Sequence, residues 1–121
     1  MPRILIADDS PAIRLLVKRH LQTDGHEVVE AVDGPAALEL GRSEVFDLVI
    51  LDQLMPGLKG IDVLQTWRSE GLDFPVVLLS GVDDHHAVVS SLSEGAADYI
   101  RKPFSPTELK ARIDRILNLP A

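Results

Sequence analysis

Apolar runs short enough to be strands alternate five times with segments whose apolar residues recur at helical spacing. The runs Ile4-Leu5-Ile6-Ala7, Val28-Val29, Leu48-Val49-Ile50-Leu51, Val76-Val77-Leu78-Leu79 and Tyr99-Ile100 predict strands at about 3–7, 27–31, 47–51, 76–79 and 98–101. Repeated β-α units of this kind place the chain in the α/β class, as a five-stranded parallel sheet with five helices on its two faces.

Each intervening segment carries helix signals of its own. Ser10 is the expected N-cap of the first helix and Pro11 its first residue, with Ile13, Leu16, Val17 and Leu21 on one stripe and Gly25 as the stop. Asp33-Gly34-Pro35 opens a short second helix carrying Ala36, Ala37, Leu38 and Leu40, with an expected end at Gly41. A third helix follows Gly60 and turns Ile61, Leu64 and Trp67 inward. The fourth contains Val88, Val89, Ser90, Ser91 and Ser93, weak helix formers that need tertiary packing. Ser105-Pro106-Thr107-Glu108 reads as a capping box for the fifth, which turns Leu109, Ile113, Ile116 and Leu117 inward and Lys110, Arg112 and Arg115 outward.

The length of 121 residues, 45% of them apolar, matches one domain spanning 1–121, with Leu119-Pro120-Ala121 open to being the start of a linker. No apolar run reaches the length of a membrane span or a signal-peptide core, so the expected setting is cytoplasmic, without membrane insertion. The absence of cysteine excludes disulfides and thiolate metal sites. A formal net charge of -7 with no basic cluster argues against direct contact with nucleic acid.

What charge leaves open, the strand ends narrow down. Asp8 and Asp9 follow the first run, Asp52 the third, Ser80 the fourth, and Lys102 the fifth. If the first strand lies centrally between the second and third, the winding reverses there and a crevice opens at the carboxyl ends of the strands, lined by the three acids. Ser80 then sits one strand spacing from Asp52, and the long stem of Lys102 can cross the roughly 10 Å that separates it. Three carboxylates within about 4 Å of one another repel by roughly 4 kcal/mol per pair at an effective dielectric near 20, so a cation is implied among them. With only oxygen ligands on offer, a hard ion such as Mg2+ is favoured. One carboxylate is then free to act as a nucleophile.

Taken together, Ile6-Ala7-Asp8-Asp9-Ser10, the segment Asp52-Gln53-Leu54-Met55-Pro56-Gly57-Leu58-Lys59-Gly60, Ser80-Gly81 and Gly95-Ala96-Ala97-Asp98-Tyr99-Ile100-Arg101-Lys102-Pro103-Phe104 resemble the receiver domain of bacterial two-component response regulators. The resemblance covers essentially the whole chain and implies the flavodoxin-like strand order 2-1-3-4-5. It implies that Asp52 accepts a phosphoryl group from a sensor histidine kinase or a histidine phosphotransfer protein. It implies further that Asp9, Asp52 and the Leu54 backbone carbonyl hold Mg2+ (or Mn2+), with Asp8 acting through a bound water. Lys102 and Ser80 would contact the phosphoryl oxygens, Ser80 and Tyr99 would switch together, and the bond between Lys102 and Pro103 would be cis. The altered surface would comprise the fourth helix, fifth strand and fifth helix, through which a phosphorylation-dependent homodimer could form. Lys59 and Gly81 depart from residues common in the family, an acid and an alanine respectively.

Blander readings accompany these. Asp8 and Asp9 suit a helix N-terminus, Tyr99 suits a half-buried strand position that never moves, and adjacent His85 and His86 point about 100° apart on a helix, which makes a chelate unfavourable. An aspartate-nucleophile phosphatase would use the same acids, but needs a second acid two residues after the nucleophile, where Leu54 stands. The chain is therefore expected to be a regulator with at most self-phosphotransfer and autodephosphorylation activity. A receiver working by interaction alone, independent of phosphorylation, is the other rival. Nucleotide binding would need a glycine-rich loop where Asp8-Asp9-Ser10-Pro11 stands.

Overall fold

The computed structural model describes residues 1–81, 93 and 95–118. Five parallel strands, β1 (Arg3–Ala7), β2 (Glu27–Ala31), β3 (Leu48–Asp52), β4 (Val76–Ser80) and β5 (Asp98–Arg101), form one sheet in the order β2-β1-β3-β4-β5. Ile6 pairs with Ile50 across β1 and β3, and Asp52 with Leu79 across β3 and β4, so the acidic and hydroxyl positions share one edge. β3 runs one residue later than its apolar pattern predicts: Asp52 is its last residue, held there by the pairing with β4.

Four helices are described: α1 (Pro11–Thr23), α2 (Gly34–Ser43), α3 (Gly60–Ser69) and a C-terminal helix (Pro106–Ile116). Of the segment expected to form the fourth of five helices, His85, His86, Val88, Val89, Ser90 and Ser91 lie outside the described residues. Among those described, no helix is long and apolar enough to cross a membrane.

Alternation along the strands divides the interior in two. Ile4, Ile6, Leu48, Ile50, Val77, Leu79 and Ile100 pack against Val17 and Leu21 of α1 and Leu109 and Ile113 of the C-terminal helix. Leu5, Ala7, Val49, Leu51, Val76 and Leu78 face Ala37 of α2 and Val63, Leu64 and Trp67 of α3. The strand runs are continuous in sequence because both faces are covered; truncating one such side chain to alanine costs about 2–5 kcal/mol.

Two helix expectations are corrected. Leu16 is 42% exposed: it sits off the row formed by Ile13, Val17 and Leu21, and only that row reaches the sheet. Gly41 does not end α2, which continues to Ser43; a Cβ there would come within 2.5 Å of the Trp67 indole, so the glycine serves close helix packing. The hydroxyl half of the C-terminal capping box is formed, Glu108 N donating to Ser105 Oγ at 3.1 Å, while the Glu108 carboxylate faces Arg112 at 3.5 Å. Of the arginines expected on the outer face, Arg115 stays exposed and Arg112 is partly covered, and both reach the nearly buried Asp98 at 2.8 Å.

Candidate functional site

Just beyond β1 the chain must leave the sheet and enter a helix, and Asp8 manages both. Its N–H donates to the Ala31 carbonyl of β2 at 3.2 Å, and its Oδ1 accepts the Ser10 N–H at 2.9 Å. Ser10 in turn caps α1, its Oγ accepting the Ile13 N–H at 3.3 Å. Asp8 is thereby fully buried, whereas Asp9, one residue on, is exposed.

From β3, Asp52 projects into the same crevice with only 3% of its surface accessible. One carboxylate oxygen from each of Asp8, Asp9 and Asp52 lies within 4.8 Å of the others. Lys102, following β5, spans the gap foreseen: its ammonium lies 3.1 Å from Asp8 Oδ2 and 3.1 Å from Asp52 Oδ1. Its backbone N–H donates to the Ser80 carbonyl at 2.7 Å, and the Lys102-Pro103 bond is cis. Ser80 ends β4 completely buried, and among the described residues its hydroxyl has no hydrogen-bond partner.

Tyr99 is half-buried, paired with Leu78 across β4 and β5 and packed against the core on the α2 and α3 side. The Leu54 side chain is 55% exposed in the loop after β3. Gly81 is partly exposed and Lys59 exposed.

Three carboxylates against one ammonium leave negative charge in excess, and its effect is visible on Asp52. Burial, followed by the neighbouring Asp8 carboxylate, pushes its pKa from 3.8 up to about 6, with Lys102 opposing. For Lys102 burial acts downward, but the Asp52 and Asp8 carboxylates outweigh it and the ammonium is held above its ordinary value. The donor set consists of hard oxygens with a net negative charge, which fits a divalent ion of the Mg2+ type.

Two residues that shape the site were not foreseen. Gln53 is 4% exposed, and its Oε1 accepts the Ile61 N–H at 2.8 Å while its carbonyl accepts the Gly60 N–H at 2.9 Å. It does for α3 what a capping side chain would, because Lys59 at the N-cap offers no acceptor. That missing cap was the signal available in the sequence. Gly60 permits the close approach: a Cβ there would fall 2.4 Å from the Asp52 carbonyl oxygen. The second is Arg14, whose Nη1 donates to the Asp8 carbonyl at 2.7 Å; nothing in the local pattern distinguishes it from a solvated helix arginine.

Comparison with known proteins agrees with this geometry. The family model for the response regulator receiver domain matches residues 4–114. The alkaline phosphatase synthesis transcriptional regulatory protein PhoP of Bacillus subtilis is 40% identical over 115 residues, covering 95% of this chain and 48% of that protein. The probable transcriptional regulator ycf27 of Galdieria sulphuraria is 44% identical, covering 95% of this chain and 45% of that protein. The chain thus spans about half the length of the curated relatives it matches. Among solved structures, a Francisella response regulator receiver domain superposes with a TM-score of 0.91 at 33% identity, covering 98% of both chains. TrrA of Thermotoga maritima, solved in complex with Mg2+ and BeF, gives a TM-score of 0.86 at 38% identity, covering 96% of this chain and 99% of that one.

Proposed function

Because this chain belongs to the response regulator receiver domain family, we propose that it is a phosphoacceptor switch in which Asp52 takes a phosphoryl group from a phosphohistidine. The donor is a sensor histidine kinase or a histidine phosphotransfer protein. The observation that carries this reading is the placement of the buried Asp52 carboxylate, 3.1 Å from the Lys102 ammonium, beside two further acids and a buried hydroxyl that lacks a partner.

In the transfer, a carboxylate oxygen of Asp52 forms the new P–O bond as the P–N bond to the donor imidazole breaks, and the electron pair of that bond leaves with the imidazole. Lys102 stabilises negative charge on the transferred group from the side of β5. Mg2+, or Mn2+ in its place, would be held by Asp8, Asp9, Asp52 and the Leu54 carbonyl, and would supply further positive charge to the phosphoryl oxygens. Both Asp8 oxygens already accept hydrogen bonds, from Ser10 and Lys102, which suits it to act through a bound water.

After transfer, the new oxygens provide the acceptor that the Ser80 hydroxyl lacks, drawing the end of β4 toward the site. Tyr99, half-buried on the adjoining strand, is the residue whose packing that displacement alters. The changed face comprises the segment before β5, β5 itself and the C-terminal helix, and it serves a phosphorylation-dependent homodimer. The apolar, exposed Leu54 supplies no general acid, which favours a regulator with slow autodephosphorylation over a phosphatase acting on external substrates.

Intact-mass analysis after incubation with acetyl phosphate and Mg2+ tests the reading. One hydroxylamine-labile phosphoryl adduct is expected on the wild type and none on Asp52→Asn. No adduct on the wild type, under conditions that label another receiver and with rapid turnover separately excluded, would favour the phosphorylation-independent interaction module.

A further inference from the structure

We infer that Arg14 is a positioning residue for the metal site: by gripping the Asp8 carbonyl it sets the plane of the peptide unit joining Asp8 to Asp9, and so the direction from which the Asp9 carboxylate enters the cluster. The inference rests on the metal-dependent reading above and adds to it a residue that the reading does not use.

The two acids are held in contrasting ways. Every polar atom of Asp8 has a partner: its N–H reaches Ala31, its carbonyl Arg14, one carboxylate oxygen Ser10 and the other Lys102. Asp9 is exposed, and no hydrogen bond or ion pair holds its carboxylate among the described residues. With no side-chain partner to draw it in, its approach to Asp8 and Asp52 depends on where the backbone sets its Cα and Cβ. The Asp8 carbonyl and the Asp9 N–H belong to one planar unit, so a donor that fixes the first fixes the second.

Arg14 is suited to that task. Its bond to the carbonyl is 2.7 Å and charge-assisted, which makes it stronger than a neutral one. The side chain is only 14% exposed and is itself anchored, with Nε 3.4 Å from Glu30 Oε1; the other Glu30 oxygen accepts from Lys18 Nζ at 3.2 Å. A line of contacts thus runs from Lys18 and edge strand β2 through Glu30 and Arg14 to the peptide on which Asp9 hangs. A guanidinium beside the cluster also repels a cation. Removing it has two opposite consequences: loss of charge alone tightens Mg2+ binding, and loss of positioning weakens it.

The sign of the change decides. Mg2+ affinity is read from amide chemical shifts in an NMR titration of the wild type, Arg14→Ala, Arg14→Lys and Glu30→Gln, with thermal melts establishing that each is folded. Arg14→Ala is expected to weaken Mg2+ binding about tenfold, the scale of losing a residue that orients a ligand, with acetyl phosphate labelling recovered at saturating Mg2+. Glu30→Gln should weaken it less, in the same direction, and Arg14→Lys should recover only part, since one ammonium cannot replace a fork that meets carbonyl and carboxylate together. Unchanged or tighter binding in folded Arg14→Ala would overturn the inference; should that variant fail to fold, the same result in Glu30→Gln would. A wild type that shows no Mg2+ response would instead overturn the metal reading, and the inference with it.

Discussion

Arg3, at the amino-terminal end of β1, and Lys102, beyond the carboxyl-terminal end of β5, each face several oxygens, in opposite exposure to solvent. The Arg3 backbone N–H donates to Asp47 at 2.7 Å, its Nε to Glu27 at 2.7 Å and its Nη1 to the Val45 carbonyl at 3.2 Å, while Nη2 meets Glu44. The guanidinium also lies 4.9 Å from the Phe46 ring centre. These contacts are partly exposed and freely solvated, so the acids gathered there are not forced on one another. At the other end, a single ammonium is shared between two carboxylates that are almost wholly buried, with a third acid close by. One sheet therefore carries three acids around one cation at each end, and only at the carboxyl end are the acids paired with that cation buried. Burying like charges in this way costs stability and persists because the surrounding core holds them, a pattern common at reacting sites.

The contrast can be broken most forcefully by removing the shared lysine. Lys102→Ala leaves Asp8 and Asp52 buried without a cation and should cost about 3 kcal/mol in the metal-free protein at neutral pH, partly regained with Mg2+. Urea unfolding in chelator and in Mg2+ measures both; an unchanged midpoint in chelator would mean that the acids are not a strained group.

Next in size is Asp52→Asn, through pH. The Asp52 carboxyl holds its proton up to about 6 when folded, against 3.8 ordinarily, so its contribution to stability is full below about 3.8 and is lost as pH rises through about 6. At neutral pH without metal the asparagine variant should therefore be more stable than wild type by about 2 kcal/mol, an advantage that vanishes near pH 4. Parallel stability profiles across that range would refute the assigned shift.

Ser80→Ala should matter less, because a buried hydroxyl without a partner contributes little: stability within about 1 kcal/mol of wild type, on the favourable side, is expected from chemical unfolding without phosphodonor. A clear loss would reveal a hidden partner. The smallest effect belongs to Arg3→Gln, a modest fall in melting midpoint at low salt that fades at high salt. If Lys102→Ala showed the same salt sensitivity, the two ends of the sheet would not differ in kind.

How far the chain reveals this arrangement depends on the range of the interaction. The caps Ser10, Asp33 and Ser105 act as their local patterns predict, each accepting an N–H three residues on, at 3.3, 2.8 and 3.1 Å respectively. With the strand order that the family resemblance implies, the meeting of Asp8, Asp9, Asp52, Ser80 and Lys102 at one edge follows from the apolar runs and their polar ends. Gln53 and Arg14 were hidden because each serves a partner, Ile61 or Asp8, that comes within reach only when loop and helix fold back. Gly41 misled for a related reason, since its purpose is the Trp67 ring from another helix. The ion pairs of Arg112 and Arg115 with Asp98 likewise join a helix to a strand across the sequence.

By itself the sequence determined the layering of this protein and the edge at which its chemistry gathers, because hydrophobic period and end-of-run polarity are local properties that burial converts directly into position. Tertiary structure alone decided the electrostatic state of that edge. Whether a carboxyl is pushed to about 6, whether a hydroxyl lacks a partner and which arginine grips a backbone carbonyl depend on desolvation and on distances of a few ångströms between residues far apart in the chain.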